Sequence, residues 1–110
     1  MPTELVLLSE VAPTPDGMVA VAARVFPDGQ HAFCRDGAVS FANGLDQAIL
    51  TVHPAKPVHE HAAAAAALKD PPEAFALWAE MTVPYGHERP GRHLADQIAA
   101  ALGGTVRERA

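Results

Sequence analysis

Residues 74–83 read AFALWAEMTV, and their alternation decides the fold class. Phe75, Leu77, Ala79, Met81 and Val83 are all apolar, whereas Ala74, Ala76, Trp78, Glu80 and Thr82 are mixed. A period of two marks a strand that turns one face to a core and leaves the other free. A second stretch, ELVLLS at residues 4–9, has Leu5 and Leu7 on one face and Val6 and Leu8 on the other. With both faces apolar, it belongs in the interior of a sheet.

The segments between and beyond these two are helical or turn-rich. In APTPDG at residues 12–17, Thr14 suits a helix N-cap, Pro15 the first helical position, and Asp16 the positive end of the dipole. That helix is expected to run to about Phe26, with Met18, Ala22, Val25 and Phe26 as its apolar stripe and Val19 and Val21 widening it. Residues 30–41 read as a hairpin about Asp36-Gly37, a favoured two-residue turn in which both positions take positive φ. His31, Phe33 and Arg35 share one face of its first arm. Asn43-Gly44 signals another turn, and QAILTVH at residues 47–53 a further strand that Pro54 ends. The six alanines at residues 62–67 predict a short helix over 60–69, stopped by Asp70-Pro71-Pro72. Leu94, Ala95, Ile98, Ala101 and Leu102 give residues 90–102 a helical stripe, Gly103-Gly104 supplies a C-cap, and residues 105–107 add a short edge strand.

This order predicts an α+β two-layer sandwich: an antiparallel or mixed sheet with two main helices on one face, with a ferredoxin-like arrangement as a candidate. At 110 residues the chain is expected to be one domain. Hydrophobic residues are 49% and charged residues 19%, a globular composition. There are 23 alanines and only 5% aromatics, so the core must be mainly aliphatic. Arginine outnumbers lysine six to two among these alanines, which points to a GC-rich bacterial genome.

The net charge of −5 argues against a general nucleic-acid binder, since phosphate contacts need clustered Lys and Arg. It leaves a basic protein as a compatible partner, steered by turn carboxylates such as Asp28, Asp36, Asp46, Asp70 and Glu73. No apolar run approaches the roughly 20 residues of a membrane span, and the first ten residues lack a signal peptide's basic and apolar regions. The single cysteine, Cys34, has no intramolecular partner and is expected to be a small buried side chain, which suits a reducing, cytoplasmic compartment.

Candidate sites follow from the alternation and from charge. A two-layer sandwich leaves one sheet face uncovered. Trp78, Glu80 and Thr82 are expected there from one strand, and Ile49, Thr51 and His53 from another, opposite the core pair Leu50 and Val52. A partly apolar face of this kind meets a second subunit or a partner. The segment GHERPGRH at residues 86–93 combines Arg89, Arg92 and His93 with glycines at a helix start. Unpaired N–H groups of Gly91 to His93 and the dipole would favour an anion there. His53, His59, Glu60 and His61 offer metal-ligand chemistry, but their spacing fits no helical metal motif and no metal site is expected. Ser9, Ser40 and Cys34 lack a nucleophile's sequence context, so no catalytic residue is assigned. No cofactor motif is present in the sequence.

Two functions are compatible with these features. The first is a non-enzymatic interaction or regulatory module, expected to be a homodimer that uses its exposed sheet face. The second is a small enzyme or ligand-binding domain using residues 86–93 as an anion site. An apolar patch around Trp78 would favour the first. A pocket joining Arg89, Arg92 and His93 to an acid such as Glu80 would favour the second.

Overall fold

The computed structural model describes residues 2–110. Its elements are β1 (Thr3–Ser9), α1 (Pro15–Val25), β2 (Gln30–Phe33), β3 (Val39–Ala42), β4 (Ala48–Val52), β5 (Lys56–Pro57), α2 (His61–Ala66), β6 (Leu77–Val83), α3 (Glu88–Leu102) and β7 (Thr105–Glu108). The strands form one antiparallel seven-stranded sheet in the order β2-β3-β4-β6-β1-β7, with β5 also paired to β6. The fold is therefore α+β. No helix among the described residues is long and apolar enough to cross a membrane.

The apolar faces of β1 explain its position. Leu5 and Leu7 join the main core with Ala79, Met81 and Val83 of β6, and with Leu94, Ala95 and Ile98 of α3. Met18 and Val21 of α1 enter the same cluster. Val6 and Leu8 point the other way, where they are buried against Leu68 and Phe75. The far face is thus partly covered by residues 58–75, which the alanine tract did not announce. Phe75 itself lies before β6 and serves this second cluster, not the main one.

Helix α1 begins as its sequence predicts. Thr14 is the N-cap, Pro15 is the first helical residue, and the Thr14 hydroxyl accepts from the Gly17 N–H at 3.1 Å. Helix α3 starts at Glu88, two residues before the expected Pro90. Proline is tolerated there because a first-turn N–H has no intrahelical acceptor to lose. Gly103 closes α3 at φ +67, where a side chain would be strained, and Gly104 N–H donates to Ala99 O at 2.8 Å.

The turn at Asp36-Gly37 is longer than the expected two-residue form. Cys34 N–H donates to Ala38 O at 2.8 Å and Gly37 N–H to Cys34 O at 3.1 Å, with Gly37 at φ +89. Only one residue of this loop takes positive φ, so it is a three-residue turn ending in a glycine bulge. The loop from Asn43 to Gln47 repeats the pattern, with Asp46, not Gly44, at φ +59. The Asn43 side-chain oxygen holds it by accepting from the N–H groups of Leu45 and Gln47.

Ile49 corrects the expected phase of β4. It is fully buried in the main core, together with Leu50 and Val52. The β3–β4 register shifts between Phe41 and Ala42: Phe41 faces Leu50, but Ala42 faces Ala48. Ile49 is the extra residue of a β-bulge, and the bulge turns its side chain inward. Beyond Val52, Pro54 lacks an N–H and interrupts the pairing, which resumes at β5.

Candidate functional site

Three surfaces carry the residues of interest: the far face of the sheet, the groove at the start of α3, and the free edge at β2. On the far face, Trp78, Glu80 and Thr82 follow one another along β6 on the side opposite Ala79, Met81 and Val83. Thr51 stands directly across from Thr82, and Thr51 Oγ1 lies 3.5 Å from Ser40 Oγ on β3. His53 follows Thr51 and donates its N–H to Glu80 O at 2.8 Å. Five of the six expected face residues therefore share one surface, and Ile49 is the one the bulge removes from it.

That surface is polar. Trp78 packs at the border of the second cluster, and the Arg109 guanidinium lies 5.6 Å from its ring centroid. Arg109 also pairs with Glu80. Beside them Asp36, His53, Pro54 and Lys56 complete a cavity of about 320 Å³. The exposed large hydrophobic residues are Val11, Phe33, Leu45 and Tyr85, none of which neighbours Trp78 in sequence or strand register. The apolar patch expected around Trp78 is therefore replaced by a ring shielded under an arginine.

At the start of α3 a groove of about 510 Å³ brings Arg89, Arg92 and His93 together over Leu5 and Val83. The acids in it are Glu88, Asp96 and Glu108, not Glu80. Arg92 is engaged by Asp96 at 3.2 Å, an i,i+4 pair, and lies 4.0 Å from Glu108. The His93 ring meets Phe26 edge-on at 6.3 Å.

The earlier helix start changes which amides are free. Gly91 N–H is spent on His87 O at 3.0 Å, and position 90 is a proline, so the N–H groups of Gly91 to His93 are not the open ones. The Glu88 carboxylate turns back into the turn before the helix and accepts from Gly86 N–H at 3.2 Å. Hydrogen bonds from the Glu88 and Gly86 N–H groups hold this carboxyl below the ordinary glutamate range, with His87 adding a smaller attraction. The protein thus places its own carboxylate where an external anion was expected.

Gly91 is buried for a packing reason. A methyl group there would press on the Ile49 carbonyl oxygen and lie 2.6 Å from Val83 Cγ1. The absence of a side chain lets α3 settle onto the β4 bulge.

The histidines are held by different neighbours. His53 Nδ1 lies 4.0 Å from an Asp36 oxygen, while the His61 ring lies tilted against Phe75 with centroids 4.5 Å apart. Among the described residues no three His, Cys, Asp or Glu side chains converge as metal ligands would. Cys34 is exposed at the end of β2, contrary to the buried position expected for it.

Comparison with protein-family models, with curated proteins and with solved structures found no match. The geometry therefore carries the functional argument alone.

The free edge at β2 is a feature that no local pattern in the sequence announces. All four of its residues are exposed, and among the described residues it pairs only with β3. Cys34 and Ala38 form a hydrogen-bonded pair, and such pairs alternate along an antiparallel ladder. Ala32 and Gln30 therefore bond inward to β3, while the N–H and C=O groups of His31 and Phe33 point away from the sheet. Phe33 is 61% exposed and lies against His31, their ring centroids 5.2 Å apart. QHAF holds no Lys, Pro or acid, so this edge has none of the usual guards, although the sequence alone does not mark the strand as an edge.

Proposed function

We propose that this protein is a non-enzymatic interaction module that works as a homodimer and acts through its sheet. The observation that carries the reading is the bare edge at β2, whose outward peptide groups face no strand among the described residues and whose Phe33 is exposed. An unguarded edge strand templates the addition of another strand. The polar far face, with Thr51, His53, Trp78, Glu80 and Thr82, is continuous with this edge through Ser40 of β3 and offers contacts for a further protein. The net charge of −5 suits a basic one. Within this reading, the crossovers through α1 and α3 and the order β4-β6-β1-β7 form a ferredoxin-like two-layer core. The hairpin β2–β3 extends that core at one side.

Light scattering at high micromolar concentration tests the reading. Twice the 11.5 kDa of the chain supports it, and 11.5 kDa at every concentration refutes self-association.

A second reading, a ligand-binding domain, rests on the convergence of Arg89, Arg92 and His93 over the apolar floor of Leu5 and Val83. Phosphate titration followed by amide shifts tests it. Shifts centred on Arg89 and Arg92 support a ligand site. No shift at millimolar phosphate refutes the ligand site and leaves Arg92 as the partner of Asp96.

A further inference from the structure

We propose that two copies of this chain join β2 to β2, antiparallel about a two-fold axis at Ala32, so that their sheets become one. The proposal rests on the interaction-module reading and names both its partner and its register.

The outward peptide groups set that register. Only His31 and Phe33 of β2 present N–H and C=O to the open side. Antiparallel pairing about Ala32 sets each His31 opposite the Phe33 of the second copy. All four outward N–H groups of the two strands then find carbonyl acceptors. An axis at His31 or at Phe33 would pair those residues with themselves and leave half of these groups unmatched within the strands. A two-fold interface must be self-complementary, and the Ala32 axis is the one that meets this condition in full.

Side chains agree with the backbone. His31 and Phe33 stand opposite Phe41 and Val39 of β3, so they project on the side of the main core. On that side a groove of about 230 Å³ opens between α1 and β2, lined by Val19, Ala22, Phe26, Pro27 and His31. Pairing about Ala32 brings the second copy's Phe33 beside His31, at the mouth of this groove. A four-residue ladder alone buries less than the about 1,200 Å² of a stable interface, and the filled groove adds apolar contact to it.

Charge agrees as well. Asp28 precedes β2 and Arg35 follows it; both are exposed, and neither forms an ion pair among the described residues. Antiparallel pairing brings the Arg35 end of each strand to the Asp28 end of the other. Asp36 lies at the same end, but its carboxylate turns inward, accepting from Ala38 N–H and facing His53.

The opposite sheet edge shows what protection looks like in this fold. At β7, Lys69 N–H donates to Glu108 O and Ala110 N–H to Ala67 O, and Leu68 bridges Arg109. The chain therefore covers one edge of its sheet with its own backbone and leaves the other open.

Cysteine cross-linking tests the register. Pairing about Ala32 sets Cys34 across from Gln30 of the second copy in a non-hydrogen-bonded pair, whose Cα atoms lie about 4.5 Å apart. The two Cys34 residues lie roughly 14 Å apart, beyond disulfide reach. Under mild oxidation Gln30→Cys should give a covalent dimer within minutes, and the parent should not. A His31→Pro variant removes an outward N–H without touching a bond to β3, and should be folded by circular dichroism yet monomeric. A parent that is dimeric by scattering, with no Gln30→Cys cross-link, overturns the Ala32 register but not the module reading. A folded His31→Pro variant that stays dimeric overturns the edge. A parent that is monomeric at all concentrations overturns both.

Discussion

Replacing Gly91 by alanine separates two accounts of this residue. Helix propensity alone favours alanine over glycine in a helix by about 1 kcal/mol. Packing opposes it. The added methyl would press on the Ile49 carbonyl oxygen and lie 2.6 and 3.1 Å from the two Val83 methyl carbons. Val83 is buried and Ile49 sits in the bulge, so neither can turn aside without moving strand backbone or a core side chain. Overpacking of this kind costs about 1–3 kcal/mol, and a clash with a backbone carbonyl belongs at the upper end. The net expectation is a loss of about 2 kcal/mol, or a fall of roughly 8–10 °C in Tm for a domain of this size. Urea denaturation followed by circular dichroism, with the slope unchanged between parent and variant, measures it. A Gly91→Ala protein more stable than its parent would falsify the close-packing argument and return Gly91 to the role of an ordinary helical residue.

Three further outcomes follow from the same structure. Ile49→Ala should cost about 2–5 kcal/mol because it empties a fully buried site, whereas Thr51→Ala, two residues on and half-exposed, should change stability by under about 1 kcal/mol; equal effects in urea melts would contradict the bulge. Thr14→Ala removes the hydroxyl that accepts from Gly17 N–H and should cost about 1 kcal/mol, read as a shift in the denaturation midpoint. Glu88 titrates below the ordinary glutamate range because of the Glu88 and Gly86 N–H bonds, so its contribution is complete above the ordinary value and is lost as pH falls through the lowered one; carbon-detected NMR titration of Glu88, with Glu88→Gln flattening this part of the acid stability profile, checks it.

Much of the fold can be read locally. The alternation at residues 74–83 sets the inward face of β6, and the Thr14-Pro15-Asp16 run fixes the start of α1. The two apolar faces of β1 correctly place it between two strands. What escapes is set by tertiary contacts. The five residues AILTV suit a strand in either phase, and only the shift at Phe41/Ala42 decides that Ile49 goes inward. The start of α3 moves because a proline fits the first turn at more than one position, and Glu88 can serve as the negative group at the dipole. Cover of the far face depends on Leu68 and Phe75, which are distant in sequence from the Val6 and Leu8 they bury.

The candidate sites divide in the same way. The outward set on β6 and Thr51 and His53 beyond the bulge follow from alternation, so five of the six far-face residues could be named in advance. The pairing of Arg92 with Asp96 was equally readable, as an i,i+4 spacing on a helix, and it already weakens a free anion site there. The edge position of β2 could not be read, because strand order is a long-range property. Once β2 is known to be the edge, the uncharged QHAF sequence gains its meaning.

Amide hydrogen exchange at β2, measured against protein concentration, addresses the central claim most directly. Ala32 N–H bonds to β3 in either state and serves as the internal reference, whereas the outward His31 and Phe33 N–H groups gain acceptors only when a second strand pairs with the edge. The account predicts that His31 and Phe33 exchange quickly in dilute solution and become protected at high micromolar concentration, with Ala32 unchanged. Unprotected exchange of both at every concentration would contradict a module that works through this edge.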